Sequence, residues 1–332
     1  MALRAFKNAR AGLETTRGTN VAPTRGVPFT EGTHNQDVET IYPVELRNSL
    51  FGHYAGDAGT ETNSFEFSGN MGYAALIEWL NLHVKAVASG TGAGADKTWT
   101  FLPLGSADDV KTATVQWGYS DSIGATRPAW EVGYCMGNEL TLGWDKSPGT
   151  PGATFRSTLL SAEAATQISA FTGVGTYTAE NGGLVKAVNT AVTIDATTIG
   201  TTADTDVLSA EWTLQTGPVN LYTLNNTTAA QDTLRPNPWD WEARIRRYYR
   251  NDNEVDAYVA KTIRKMRVKT TGPVLGGSFY SIQLDLYGKY TARSWAEVDG
   301  LGIEEFTLKP IFDATLGADF QVILVNDQAT WT

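Results

Sequence analysis

Few side chains in this sequence have the types and spacing needed for catalysis or metal binding. Its three histidines are scattered, with His83 in a predicted helix and His34 and His53 in predicted loops. None of them has a second histidine, cysteine or carboxylate at the spacing of a metal site. Cys135 is the only cysteine and has apolar neighbours, which excludes an intrachain disulfide and favours a buried thiol. The sequence therefore predicts no metal site.

Carboxylate and hydroxyl groups give no stronger signal. Asp195, Asp204 and Asp206 have part of the spacing of a calcium loop, but the glycine and glutamate of that loop are missing. A Thr-rich turn explains them better. The Ser120-Asp121-Ser122 triplet has no partner base, and such triplets are common in turns. With no phosphate-binding or nucleophile motif either, we expect no enzyme and no cofactor.

Two alternatives stay open on composition alone. The 36 acidic residues allow many carboxylate pairs, so a glycoside hydrolase is not excluded. Ten tryptophans are compatible with sugar stacking, although core and interface packing in a β-sandwich is the commoner use.

The densest cluster of basic residues lies between positions 244 and 269, with acidic residues interleaved. The net charge of −10 argues against tight binding of nucleic acid, which needs a basic surface. This cluster predicts ion pairs across a subunit interface or on a solvated face. The interface candidates are Arg244, Arg246, Arg247, Arg250 and Arg264.

Residues 1–38 form a basic segment that glycine and proline interrupt. Across its first 25 positions, five basic residues face a single carboxylate, Glu14. The segment is predicted to be a disordered tail or an extended arm that lies on the acidic body of a neighbouring copy. The arm candidates are Arg4, Lys7, Arg10, Arg17 and Arg25.

Two amphipathic helices, each embedded in a run of strands, organise the rest of the chain. Each follows an asparagine-containing turn, Asn70 in the first case and residues 251–253 in the second, and asparagine is a favoured helix cap. The spacing predicts helices over 71–86 and 254–266. Their buried stripes would be Tyr73, Leu76, Ile77, Leu80 and Val84, and Val255, Tyr258, Val259, Ile263 and Met266.

Strand patterns fill most of the remainder, and Phe279–Tyr290 alternates most cleanly. The end of the chain, 306–312 and 320–325, predicts a terminal hairpin. The fold class is therefore mainly β with a few α elements: two tandem antiparallel β-sandwich or partial-barrel domains, each flanked by one helix. The predicted divisions are an extended N-terminal arm (1–38), a first domain (39–165), a linker (166–190) and a second domain (191–332).

Targeting signals are weak. No segment has the roughly 18 apolar residues of a membrane span, and the N-terminus lacks the apolar region of a secretory signal. We expect a protein made in a cytoplasm, without a membrane span.

Several stretches resemble one protein family. The opening segment Gly12–Arg25 resembles the N-terminal arm of tail tube proteins, or major tail proteins, of long non-contractile-tailed (siphovirus-type) bacteriophages. Strand and turn patterns similar to the same family occur at 112–118, 134–142, 281–288 and 312–317. The resemblance covers nearly the whole chain.

This resemblance implies a structural virion protein with no catalytic role. Subunits would join edge to edge into rings whose inner sheets merge into a barrel, and stacked rings would form the conduit for DNA ejection. The implied partners are further copies of the chain, the tape measure protein, and the tail terminator and tip proteins, with DNA passing through unbound. Because most of the family has one domain per chain and hexameric rings, two units per chain predict a trimeric, pseudo-hexameric ring. The alternatives are another viral structural or adhesin β protein, or a carbohydrate-binding β-sandwich.

Overall fold

The computed structural model describes residues 5–42, 57–103, 110–121, 129–146, 152–173, 175, 177, 180–224, 227–236, 238–298 and 300–330. The chain is mainly β, as predicted, with large antiparallel sheets. The strands are β1 (Ala5–Leu13), β2 (Arg25–Gly26), β3 (Glu31–Ile41), β4 (Asp57–Asn70), β5 (Lys97–Phe101), β6 (Ala113–Asp121), β7 (Ala129–Asp145), β8 (Ala153–Ser161), β9 (Thr166–Ile168), β10 (Thr190–Asp195), β11 (Val207–Gln215), β12 (Val219–Leu221), β13 (Asp232–Leu234), β14 (Asp240–Tyr248), β15 (Arg264–Leu275), β16 (Ser278–Val298), β17 (Leu301–Pro310) and β18 (Phe320–Asn326). The helices are α1 (Leu76–His83) and α2 (Asn253–Ala260), and Ala187–Asn189 forms one 3₁₀ turn.

Among the described residues, sixteen strands form one hydrogen-bonded sheet, and β12 and β13 form a separate pair. The sheet continues across the predicted linker, because β7 pairs with β11 and β5 pairs with β18. A single hydrophobic cluster likewise includes residues from both halves, such as Trp79 and Trp212.

Strand β16 shows how alternation builds the core. Ile282, Leu284 and Leu286 are fully buried on one face, as the sequence pattern predicted. The predicted hairpin at the end of the chain is wrong, however. Strands β17 and β18 do not pair with each other, because β16 is long enough for both to pair along it.

The first helix is shorter than the predicted 71–86 and is buried on all sides. Its predicted stripe is buried, but Glu78, Asn81 and His83 are buried as well. Asn70 does not cap it. The carboxylate of Glu180 instead accepts the backbone N–H groups of Ala74 and Ala75 at 2.9 and 2.8 Å, which satisfies donors at the helix start.

The second helix is also shorter than predicted. Lys261 adopts a left-handed conformation (φ 52°) and ends α2. Val259 and Ile263 are exposed, whereas Met266 is buried as part of β15. The apolar residues of α2 and of the following strand β15 together kept a helical spacing. The sequence therefore predicted one helix across this boundary.

The N-terminal segment is the main correction. Residues 5–41 form β1, β2 and β3 in the chain's own sheet, instead of an extended arm. β1 pairs with β6 along nine residues, and Ala9 on it is completely buried. Ala9, Ala11 and Leu13 alternate along β1 and pack into the core. The prediction of an arm rested on the basic residues and did not use this alternation.

Candidate assembly edges and polar groove

Eight strands lie side by side as one antiparallel surface at the centre of the molecule. Their order is β3, β4, β8, β7, β11, β14, β17 and residues 288–298 of β16. One face of this central sheet packs into the core through side chains such as Phe67, Leu142, Trp212 and Phe306. The other face is polar, so the sheet separates the core from an open surface.

A groove of about 700 Å³ runs across the polar face and is lined by residues of seven of these strands, together with Thr30. Its charged lining residues are Glu31, Glu139, Glu211, Asp240, Glu242, Arg156, Arg244 and Lys309. Acidic groups therefore outnumber basic ones. The Arg244 Nε donates to Glu242 at 2.7 Å, and this bond raises the pKa of Arg244. Such a surface repels a polyanion more than it holds one.

The two halves of the chain follow the same path through the sheet. In the first half the neighbours run β1, β6, β7, β8, β4 and β3; in the second they run β10, β15, β16, β17, β14 and β11. In both halves the helix directly follows the fifth strand of the path, with α1 after β4 and α2 after β14. Each of the six strands of one path therefore has a counterpart in the other path.

One strand pair joins the two paths, and we call it the internal junction: residues 139–145 of β7 with residues 209–215 of β11. Leu142 lies opposite Trp212, and Leu140 lies opposite Leu214. All four side chains are buried at 0 or 1% exposure. The junction thus has a dry apolar side, and its other side faces the groove.

Within the described part of the chain, the counterparts of these two segments, β3 and residues 289–298 of β16, are unpaired on one side, and we call them the open edges. Among the described residues, β3 pairs with β4 alone, and residues 289–298 of β16 pair with β17 alone. Trp295 on β16 is 53% exposed, and Val38 and Ile41 on β3 are 40% and 51% exposed. Long edge strands with exposed apolar groups are ready to pair with another chain.

The predicted arm cations that the structure describes contact their own chain. Lys7 donates to the Gly32 carbonyl at 3.0 Å, Arg10 to that of Thr172 at 3.1 Å, and Arg17 to that of Thr233 at 3.0 Å. Arg25 is buried, and burial lowers its pKa. Arg4 lies outside the described residues. The predicted role of this group between rings stays a prediction.

The structure divides the predicted interface cluster into two groups. Arg244 and Arg246 lie on the central sheet beside Glu242 and Glu305. The other three arginines form ion pairs at the end of the central sheet: Arg247 with Asp204 and Asp206, Arg250 with Asp206, and Arg264 with Glu254. The sequence analysis did not predict this division. All five therefore pair within the chain.

The described histidines and Asp195, which the sequence analysis weighed as metal ligands, lie in strands, a helix and a turn of the fold. His83 is buried in α1 and bonds the Trp79 carbonyl oxygen through Nδ1, and burial lowers its pKa to about 4. His34 lies in β3 and not in the predicted loop, while His53 lies outside the described residues. Asp195 accepts the backbone N–H groups of Gly200, Thr201 and Thr202 in a turn. Within the described ranges, no three His, Cys, Asp or Glu side chains converge as metal ligands.

No helix in the described part of the chain has the length and apolar character needed to cross a bilayer.

The sequence analysis did not single out the residues of the open edges. Neither Trp295 nor strand β3 was named as a candidate. The predicted strand ended at Tyr290, whereas β16 continues for eight further residues and includes Trp295. The available signal was the alternation of Arg293, Trp295 and Glu297 with Ala292, Ser294 and Ala296.

Two comparisons with known proteins find no relative. A scan against protein-family models gives no match, and a search of curated proteins finds no similar sequence.

Proposed function

We propose that this chain is a structural protein that self-assembles through its open edges into rings, and that the rings stack into the tail tube of a long-tailed bacteriophage. The observation that carries the proposal is the relation between the internal junction and the open edges. The junction joins β7 to β11, and the open edges are their counterparts β16 and β3. A contact made once inside the chain is thus available again between chains.

The two matching strand paths support a chain of two tandem β units, each with one helix. In this reading β1 belongs to the first unit, as β10 belongs to the second. Since β3 and the end of β16 are different surfaces, their contact is head-to-tail and closes into a ring when the rotation permits. Three copies would supply six units, which is the pseudo-hexameric count expected from the resemblance to tail tube proteins.

The position of the polar groove supports one orientation of the central sheet in such a ring. With the groove facing inward, three central sheets of eight strands each would form a continuous barrel around a lumen. Its excess of carboxylates would keep DNA moving past without capture. Closure would also remove every open edge of the central sheet, which protects the protein from irregular aggregation.

The resemblance extends the proposal to partners and place. The tube would be filled by a tape measure protein during assembly and bounded by terminator and tip proteins. The protein would be made in the bacterial cytoplasm and end in the virion tail.

Electron microscopy of the purified protein tests the proposal. We expect annuli and stacked tubes with a central channel at high protein concentration. A protein that stays monomeric at the highest attainable concentration and binds saccharides would refute it and favour the carbohydrate-binding alternative.

A further inference from the structure

Resting on the proposed function, we infer that strand β3 of a second copy adds antiparallel to residues 292–298 of β16, with Thr33 of one copy opposite Ala296 of the other. The acidic end of the β3–β4 hairpin then lies against a pocket lined by three lysines. The internal junction fixes this register through the counterparts of each strand.

Matching bulges align β7 with β16. The pairing of β7 with β8 shifts by one residue between Gly137 and Glu139. The pairing of β16 with β17 shifts in the same way between Tyr290 and Ala292. Glu139 and Ala292, the first residues after the two bulges, are therefore equivalent positions. Four residues further along each strand, Gly143 and Ala296 are equivalent as well.

Strand-to-strand partners carry the alignment across the sheet. In the first half, the residues directly opposite one another are Glu139, Thr158, Glu66 and Thr33. In the second half, they are Ala292, Thr307, Arg244 and Glu211. Thr33 and Glu211 are therefore equivalent. Since Glu211 lies opposite Gly143 in the internal junction, Thr33 belongs opposite Ala296 of the neighbouring copy.

This register covers the exposed aromatic side chain of the open edge. His34 falls opposite Trp295, in the positions that Trp212 and Leu142 occupy in the internal junction. His34 already stacks on Phe65, with ring centroids 4.5 Å apart. Directly opposed aromatic rings stabilise strand pairs, so Trp295 would become part of a continuous stacked layer.

The residues that follow the internal junction indicate where the end of the β3–β4 hairpin would lie on the neighbouring copy. In the internal junction, Thr216 follows β11 and donates its backbone N–H to the Asn138 carbonyl at 2.9 Å. The counterparts of these residues are Val38 and Thr291. Thr291 lines a pocket of about 360 Å³ at the side of β16.

Charge complementarity agrees with this placement. Lys261, Lys289 and Lys309 line the pocket, whereas Asp37 and Glu39 flank Val38 on the hairpin and are exposed. Opposite charges at the rim of an interface select the correct partner and orientation. The pocket and the hairpin belong to the two open edges, so one copy offers each to a different neighbour.

Disulfide trapping in the full-length chain tests the register. Paired Cα atoms in an antiparallel ladder lie about 4.5–5.5 Å apart, within disulfide range. The variant Thr33→Cys/Ala296→Cys should form covalent multimers under mild oxidation. The matched control Asn35→Cys/Ala296→Cys, two residues out of register on the same face, should form at least about tenfold fewer because its Cα atoms are beyond about 7 Å. Cys135 is buried and stays in both variants.

Electron microscopy of the same two variants under reducing conditions separates the two proposals. Annuli together with preferential Thr33–Ala296 multimers support the register. Annuli with equal or preferential trapping of the Asn35–Ala296 pair overturn the register while the tube function stands. Folded monomers without annuli or multimers overturn both.

Discussion

The internal junction and the open edges are the same strand positions in two different environments. At the junction, Trp212 packs opposite Leu142, and both side chains are buried. At the open edges, Trp295 and the outer side chains of β3 face solvent. In the proposed assembly one geometry would have two uses: inside the chain it stabilises the fold, and at the open edges it would join neighbouring copies. Substitutions at equivalent positions should therefore affect different properties.

The largest effect is expected at the internal junction. Trp212→Ala removes a fully buried ring that packs on Phe320 with centroids 5.2 Å apart. It should lower the free energy of unfolding of the monomer by about 3–5 kcal/mol, measured by chemical denaturation. A loss similar to that of an exposed tryptophan, within about 1 kcal/mol of wild type, would contradict the role assigned to the junction.

The counterpart substitution at the open edge should leave the fold intact. Trp295→Ala should weaken association by about 2–4 kcal/mol, as expected for an aromatic hot spot, with monomer stability nearly unchanged. Sedimentation over a concentration series measures the first quantity, and denaturation measures the second. Phe312→Ala is the matched control, an exposed aromatic residue outside the open edges. Equal association by the two variants would remove Trp295 from the interface.

A third substitution acts on the fold and not on the edges. Burial raises the pKa of Glu78 to about 8, against attraction from Arg25. The folded state therefore holds a proton that the unfolded chain releases above about pH 4.5, so the free energy of unfolding falls as pH rises from about 4.5 to 8. Glu78→Gln should gain about 1–2 kcal/mol relative to wild type at pH 7.5 and little at pH 4.5. Thermal unfolding at both pH values measures this gain in stability. A gain that is the same at both pH values would refute a protonated Glu78 in the folded protein.

The smallest effect concerns the lysine pocket. Lys289→Glu should weaken association by about 0.5–1 kcal/mol at low salt and less at high salt, because rim charges are screened. Adding Asp37→Lys should restore part of the loss. If the double variant associates more weakly than either single variant, the two side chains do not face each other.

Much of the fold was readable from local patterns. The strand predictions around β8, β11, β14 and β18 lie close to the observed bounds, because alternation within a strand reflects one buried face. Strand β3 was missed as part of a basic arm. Apart from Gly32 and His34, its residues are exposed within the monomer, so no alternating pattern was there to read.

The candidate site was harder to foresee. It depends on the pairing of residues 139–145 with 209–215, which no local pattern reports because those residues are far apart in the sequence. The helices misled in a different way: the apolar spacing of α2 continued past Lys261 into β15, where the backbone had already left the helix. Two helices nevertheless pointed to the two strand paths, each with one helix after its fifth strand.

Native mass measurement of the annuli tests the central claim most directly. Head-to-tail contact between two different open edges, combined with the trimeric ring expected from the resemblance to tail tube proteins, predicts a closed ring with three times the 35.9 kDa mass of the chain, and stacks of that ring at higher concentration. A dimer that does not grow with concentration would contradict the account, because it would mean that an edge pairs with its own copy.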